Sequence, residues 1–266
     1  MILLHNRFLD KKSASGRLDN KGGLSPSYIK TMSFIIQSSM AFAVQEKHCT
    51  PLSSIVAKPV IRKKELQILS KSEQYDFESF LSHELDCTRL GVLVCLHTGL
   101  RLGEVCALTW NDIDLDDNII HIRHTISRIR NQDTDSSTST VLIVETPKTQ
   151  ASVRDILIPS MLLPYLMEMK QKASNCYVLS DDCTFLSPRT LEYRFHKLID
   201  DCGLKTVNFH ALRHTFATRC IEAGVDVKSL SEILGHANVG ITLNTYVHSS
   251  MEMKRQQIEK LARRAI

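Results

Sequence analysis

Residues 209–220 read Phe-His-Ala-Leu-Arg-His-Thr-Phe-Ala-Thr-Arg-Cys. Apolar side chains recur every three or four positions in this stretch, which predicts an amphipathic helix. The predicted apolar face consists of Phe209, Leu212, Phe216 and Cys220. His210, Arg213 and His214 then share a wedge about 100° wide on the other side of the helix. A histidine beside an arginine places a proton-transfer group next to a bidentate oxyanion clamp, a combination that suits phosphate chemistry.

Two other interpretations of this helix were open. Its polar wedge could be an ordinary solvated face, or His210 and His214 could bind zinc at i, i+4 spacing. Zinc proteases with this spacing need a glutamate directly after the first histidine, and Ala211 stands there. The sequence therefore favours anion binding over a metal site.

A second segment, residues 98–108, reads Thr-Gly-Leu-Arg-Leu-Gly-Glu-Val-Cys-Ala-Leu. Gly99 interrupts the helical pattern and Arg101 stands where the pattern restarts. The guanidinium can therefore project from a helix N-terminus, where backbone N–H groups and the helix dipole add to its affinity for anions. Glu104, one turn later, can hold Arg101 by an ion pair. The alternative is a capping pair on the surface.

The middle of the chain changes from a helical to a β-rich pattern. Residues 119–126, 141–146 and 153–158 are apolar, β-branched runs that predict a three-stranded antiparallel sheet. The last two runs are joined by only a few residues, which places Lys148 at the tip of a predicted hairpin. Because the pKa of a lysine shifts readily with its environment, Lys148 is a candidate general acid, with a solvated surface lysine as the alternative.

The last motif is Leu-Gly-His at residues 234–236, followed ten residues later by Tyr246. Leu-Gly-His is typical of the end of a helix, and a second short helix is predicted to carry the tyrosine. A tyrosine is a competent covalent nucleophile where positive charge favours its phenolate form. The alternative for Tyr246 is an aromatic residue that fills the core.

Composition restricts the class of protein. The 266 residues are 43% hydrophobic and 23% charged, as in a globular domain. No apolar stretch approaches the about 18 residues of a membrane span, and the first residues do not resemble a signal peptide. The eight cysteines form no Cys-x-x-Cys pair, which indicates reduced structural thiols and no metal site.

The first 60 residues differ from the rest in charge. They hold eight lysines and arginines against three acidic residues, within a net charge of +4 for the whole chain. This excess indicates a polyanionic partner. Ser25 and Pro26 predict a helix start, and two prolines within residues 49–60 predict a linker and a domain boundary.

Together these motifs resemble the tyrosine recombinase (phage integrase) family, in the type found in phages and integrative elements. The resemblance covers about residues 61–260. It implies a mainly α fold with a small three-stranded antiparallel sheet (α+β), in which residues 59–266 form the catalytic domain. Residues 1–58 would be a partial helical core-binding domain and linker. Since the earlier helices of that domain are missing here, we expect weaker DNA binding and synapsis.

The resemblance implies a site-specific recombinase that cuts and rejoins DNA through a 3′-phosphotyrosyl intermediate, without ATP, metal or cofactor. Tyr246 would be the nucleophile, Lys148 would protonate the leaving 5′-oxygen, and His210 would take part in acid/base transfer to the nucleophile. The implied catalytic set is Arg101, Lys148, His210, Arg213, His236 and Tyr246.

In the same family, the remaining three residues bind the phosphate. Arg101 and Arg213 would clamp the non-bridging oxygens in the transition state. His236 would hydrogen-bond the transferring phosphoryl group. Glu104 is expected to be a supporting residue.

The implied partner is double-stranded DNA at attachment sites, bound by a homotetramer in the bacterial cytoplasm, with no membrane association. The basic C-terminal helix, Met251–Ala265, would dock on a neighbouring protomer. Accessory DNA-bending or excision proteins are further partners that the family allows.

The sequence leaves several alternatives open: a DNA-binding remnant or regulator with impaired strand exchange, a type IB topoisomerase, a metal-dependent nuclease and, within the recombinases, a resolvase of chromosome dimers.

Overall fold

The chain forms two compact units, Met1–Glu65 and Leu66–Ile266. The computed structural model describes residues 2–15, 22–50, 66–131, 138–147, 149–174, 176–180 and 184–246. Lys148, most of the predicted linker and the predicted C-terminal helix Met251–Ala265 lie outside these residues.

The first unit contains two helices, α1 (Ile2–Ser15) and α2 (Pro26–Gln45). The predicted start of α2 is confirmed, because the Ser25 hydroxyl accepts the Tyr28 N–H as N-cap and proline follows at the first helical position. Leu9 of α1 and Ile29 of α2 are both buried. Apolar burial between two helices therefore holds this unit.

The second unit is mainly helical. Its helices are α3 (Lys71–His83), α4 (Cys87–Thr98), α5 (Leu102–Ala107), α6 (Leu163–Lys172), α7 (Pro188–Asp201), α8 (His210–Glu222), α9 (Val227–Leu234) and α10 (Val239–Tyr246). Its strands are β1 (Ile113–Asp114), β2 (Ile119–Ile122), β3 (Thr125–Arg130), β4 (Thr140–Glu145) and β5 (Arg154–Leu157). None of the helices in the described part of the chain is both long enough and apolar enough to cross a membrane.

Local sequence explains where the first of these helices begin and end. Ser70 and Glu73 form a capping box that starts α3, and the Asp86 side chain caps α4. Gly99 ends α4 in the left-handed region at φ +67°, which a glycine adopts without strain. The predicted break between α4 and α5 is therefore confirmed.

The strands form two small antiparallel sheets, one in the order β1-β2-β5 and one of β3 with β4. A mainly helical chain with small antiparallel sheets is confirmed, but the predicted hairpin between the second and third β-rich runs is wrong. The run 119–126 divides after Ile122, so that β3 pairs with β4 while β2 pairs with β5.

The connection between β4 and β5 explains why these two strands do not pair. Pro147 has no N–H to donate to a ladder, and a 3₁₀ turn occupies Gln150–Ser152. The chain therefore leaves the edge of β4 before β5 begins. Beside β2, Ile156 lies opposite Ile120 and both side chains are buried.

Two clusters of buried side chains hold the second unit together. The larger surrounds α4 and includes Phe195, whose ring meets Phe77 and Phe209 edge-on at centroid distances of 6.2 and 5.1 Å. The smaller cluster contains Ala217, Leu230, Leu234 and Tyr246. Because this cluster joins α8, α9 and α10, it fixes the positions of these three helices relative to one another. Two of them carry candidate site residues, Arg213 on α8 and Tyr246 on α10.

Candidate active site

Arg101 lies at the N-cap of α5, as predicted. Its backbone N–H and its Nη1 both donate to the Glu104 carboxylate, at 2.9 and 2.6 Å, and its Nη2 donates to the Gly235 carbonyl at 2.7 Å. The side chain is 35% exposed. Arg101 is therefore anchored on two sides and still reaches solvent.

Glu104 forms an ion pair with Arg101, as predicted, and a second one with Arg154, which was not among the predicted site residues. Its carboxylate, 2% exposed, accepts from Arg154 Nη1 and Nη2 at 3.0 Å each. Burial raises the pKa of Glu104, but the hydrogen bonds and charges of Arg154 and Arg101 outweigh it and lower the pKa below its usual value. Glu104 is thus an anion between two guanidinium groups.

Arg154, at the start of β5, connects three parts of the site. Besides Glu104 it binds the Ile233 carbonyl through Nε at 2.6 Å and the Ser152 carbonyl at 3.1 Å. Only 6% of its side chain is exposed. The sequence gives one indication of Arg154, a charged residue near the start of the apolar run 153–158.

Arg213 is buried, with 2% of its surface exposed, so the middle of the polar wedge of α8 is not solvated. Its Nη1 donates to the Gly99 carbonyl and its Nη2 to the Leu234 carbonyl, both at 2.7 Å. Burial lowers the pKa of Arg213 to about 10, and the charge of Arg101 adds to this effect. The guanidinium is therefore still charged at neutral pH.

His236 follows α9, which ends at Gly235 in the left-handed region at φ +63°. Its Nε2 lies 2.9 Å from Arg213 Nη2, and its Nδ1 lies 2.8 Å from the Thr242 hydroxyl. Arginine can only donate, so Nε2 accepts, and the neutral ring carries its proton on Nδ1. Burial, followed by the charge of Arg213, lowers the pKa of His236 to about 4.

Tyr246 ends α10 with 8% of its surface exposed. Its hydroxyl lies 2.8 Å from Nδ1 of His214 on α8. Burial raises the pKa of Tyr246, while the positive charges of Arg213 and Arg101 oppose that rise. The predicted nucleophile is therefore a protonated phenol that faces an imidazole.

The two histidines of α8 differ in their surroundings. The ring of His210 meets that of His214 edge-on at 4.5 Å, and His210 is exposed while His214 is partly buried. Burial lowers the pKa of both, that of His214 to about 4 with further contributions from His210 and Arg213. His214 stood in the predicted wedge but not in the predicted catalytic set. His214 belongs to the site because it contacts Tyr246, 32 positions later in the chain, and a local sequence pattern cannot predict a contact at that separation.

The second unit thus gathers five of the six predicted residues around three helix ends. They are Arg101, His210, Arg213, His236 and Tyr246. The sixth, Lys148, lies outside the described residues. Among the described side chains, no three His, Cys, Asp or Glu residues are grouped so that they could hold a metal ion.

Comparison with known proteins relates this chain to DNA recombinases. Residues 60–253 match the phage integrase family. A tyrosine recombinase XerC-like protein of Caldanaerobacter subterraneus subsp. tengcongensis is 29% identical over 90% of this chain and 66% of its own length. The transposase of transposon Tn916 from Enterococcus faecalis is 29% identical over 66% of this chain and 47% of its own. The chain thus spans about half to two thirds of these relatives.

Solved structures share the fold. The Tn1549 transposon integrase in complex with transposon right end DNA has a TM-score of 0.77 at 23% identity, over 98% of this chain and 85% of that one. A lambda integrase tetramer bound to a Holliday junction has a TM-score of 0.60 at 18% identity, over 93% of this chain and 64% of that one.

Proposed function

The chain belongs to the phage integrase family, and on that basis we propose that it is a site-specific DNA recombinase that acts through a phosphotyrosyl intermediate to integrate or excise a mobile element. The observation that carries this proposal is the Tyr246 hydroxyl, whose pKa is affected by the charges of Arg213 and Arg101, while Arg213 also contacts His236. A nucleophile near two guanidinium groups suits attack on a phosphodiester, because the positive charges stabilise the transition state.

In the proposed reaction, Tyr246 Oη attacks the scissile phosphate and forms a 3′-phosphotyrosyl bond while the 5′-oxygen leaves. Negative charge then builds on the non-bridging oxygens. Arg101, which reaches solvent while Glu104 and Gly235 hold it, is placed to meet the phosphate. Arg213 supplies a second, buried positive charge. Donors that are fixed before the reaction stabilise the transition state without reorganisation.

The remaining three assignments follow from the resemblance to the family. His210 would take part in acid/base transfer to the nucleophile. His236 would hydrogen-bond the transferring phosphoryl group through a ring N–H. Lys148 would protonate the leaving oxygen. A free 5′-hydroxyl from a partner duplex would then reverse the first step.

Trapping the covalent intermediate tests this proposal. A duplex that carries the attachment site and a nick beside the scissile phosphate releases a short fragment after cleavage, so the phosphotyrosyl complex accumulates. We expect a shifted protein–DNA band on a denaturing gel that is absent for Tyr246→Phe. Tyr193→Phe is the matched control, because Tyr193 is 73% exposed on α7 and should leave the band unchanged.

A folded protein that binds the duplex but gives no band in any variant would contradict the proposal. It would identify instead a DNA-binding remnant or regulator with the recombinase fold. A band that persists in Tyr246→Phe would show that another residue is the nucleophile.

We also propose the domain organisation and the assembly. Residues 1–58 would form a core-binding domain with a linker and residues 59–266 the catalytic domain; the division of the chain into two compact units after Glu65 supports two domains. The lambda integrase tetramer on a Holliday junction supports a homotetramer on double-stranded DNA. We also propose that this assembly acts in the cytoplasm. The segment Met251–Ala265 would dock on a neighbouring protomer, with accessory DNA-bending or excision proteins as further partners. Its deletion should abolish recombination and spare folding.

A further inference from the structure

The contact between Tyr246 and His214 is held by packing. Tyr246 belongs to the buried cluster with Ala217 and Leu230, which ties α10 to α8 and α9. His214 lies on the same helix as Ala217, about one turn earlier. The positions of the phenol ring and the imidazole are therefore both set by the same contacts between helices, and the distance of 2.8 Å between Oη and Nδ1 follows from them.

The surroundings of His214 keep its imidazole neutral. On α8 it faces the ring of His210 and the charge of Arg213, and from α10 it faces the phenol of Tyr246. These neighbours are cationic or neutral, so they disfavour a second positive charge, as does burial. The pKa of His214 is accordingly lowered to about 4, which leaves a nitrogen lone pair free to accept a proton at neutral pH.

We propose that His214 Nδ1 orients the Tyr246 hydroxyl and accepts its proton when the tyrosine attacks DNA, a step that the resemblance to the family gives to His210 and that the 2.8 Å contact gives to His214. This inference rests on the proposed function. As the Oη–P bond forms, the Oη proton passes to Nδ1, and the P–O5′ bond breaks with the 5′-oxygen protonated by the general acid. In the reverse step the protonated His214 returns its proton to Oη.

Binding of DNA would make His214 a better base than it is in the free protein. A phosphodiester carries one negative charge, and in the site it would lie beside Arg213, whose charge contributes to lowering the pKa of His214. The anion offsets that charge, so the pKa of His214 rises in the complex. A base whose pKa approaches the working pH transfers protons efficiently.

The test compares His214→Asn and His214→Leu with the wild type in single-turnover cleavage of the nicked duplex. Asparagine keeps an oxygen near the position of Nδ1 but cannot accept a proton at these pH values. We expect His214→Asn to lose about 10²- to 10⁴-fold in rate at pH 7, the usual contribution of general acid–base catalysis. His214→Leu, which also loses the hydrogen bond, should lose at least as much.

The dependence of the rate on pH separates a proton acceptor from a purely structural residue. With His214→Asn, hydroxide must remove the phenol proton, so the cleavage rate should rise about tenfold per pH unit toward the pKa of the tyrosine and approach the wild-type rate. The wild-type rate should level off at much lower pH. If His214→Asn reduces the rate by the same factor at every pH, or not at all, the proposal is wrong. His83→Asn, an exposed histidine at the end of α3, should behave as the wild type.

A second measurement does not depend on cleavage, so the inference can fail separately from the proposed function. In the free protein, ¹⁵N NMR of the histidine rings should show His214 with its proton on Nε2 and an unprotonated Nδ1. A His214 that carries its proton on Nδ1 would be a donor to Tyr246 and would overturn the proposal, whether or not the protein cleaves DNA.

Discussion

Removal of the Glu104 carboxylate should both destabilise the second unit and slow DNA cleavage. This carboxylate accepts four hydrogen bonds, two from Arg101 and two from Arg154, at distances of 2.6 to 3.0 Å. Arg101 can be solvated by water when the Glu104 carboxylate is lost, because a third of its side chain is exposed. Arg154 cannot, because only 6% of its side chain is exposed.

The expected magnitude follows from this difference. Breaking a buried ion pair by removing one partner costs about 3–5 kcal/mol, since a charge is left buried without a counter-charge. Glu104→Ala should therefore lower the free energy of unfolding by that amount. Replacing both partners by apolar residues of similar size removes the unpaired charge, so Glu104→Leu with Arg154→Met should lose much less than the sum of the single substitutions.

Activity should not return with stability in the double variant. Arg101 loses its carboxylate in every variant that lacks Glu104, so its guanidinium is no longer fixed for the phosphate. Urea unfolding at pH 7 measures the first quantity, and the single-turnover rate of phosphotyrosyl formation measures the second. The control is Glu168→Ala, which removes an exposed i, i+4 pair with Lys172 and should change stability by less than about 0.5 kcal/mol.

Acidification should remove the stabilisation by Glu104. The pKa of Glu104 is lowered in the folded protein, so its contribution is complete above the usual carboxyl value of 4.5 and is lost as the pH falls through the folded value. The difference in stability between wild type and Glu104→Ala should therefore shrink below pH 4.5. A Glu104→Ala variant as stable as the wild type, or a double variant that loses the full sum, would refute this account of the buried pair.

Three further predictions concern the glycines and histidines of the site. Gly99→Ala should lose more stability than Gly203→Ala: both have positive φ, which costs about 1–2 kcal/mol for alanine, but only at Gly99 would the added carbon lie 2.6 Å from a phenylalanine ring carbon. His214 and His236 have pKa values of about 4, below the usual 6.5, so the thermal midpoint should fall as the pH drops from 6.5 to 4, and less so in the double asparagine variant. Thr242→Val leaves the His236 Nδ1–H without its acceptor, so we expect a loss of about 1–3 kcal/mol in urea unfolding and slower cleavage.

Elements that depend on local sequence could be predicted. Ser25 with Pro26 gave the start of α2, and Gly99 and Gly235 marked the ends of α4 and α9. Each of these signals acts within one or two turns of the chain, through a cap or a left-handed backbone. The sequence motifs also placed Arg101 at a helix start, because the same local rules apply there.

Interactions between distant residues could not be predicted. The pairing of β2 with β5 joins residues more than 30 positions apart and depends on which isoleucines are buried together. A local pattern cannot show this, so the predicted hairpin of the second and third β-rich runs is wrong. Arg154 belongs to the site through Glu104, 50 positions earlier, and through the Ile233 carbonyl, 79 positions later. His214 was visible on the polar side of α8, but only the packing of α10 shows that it is the histidine that faces Tyr246.

The three arginines of the site differ in what balances their charge. Arg154 and Arg101 share the Glu104 carboxylate, whereas among the described residues Arg213 forms no ion pair and instead binds backbone carbonyls at the C-terminal ends of α4 and α9. Those helix ends carry partial negative charge, which stabilises a buried cation without neutralising it. The site therefore keeps an excess of positive charge, as the binding of a phosphate anion requires. A lysine in place of Arg213 could not reach both carbonyls and His236 at once, because it lacks the planar fork of a guanidinium, so Arg213→Lys should separate the two helix ends as well as weaken cleavage.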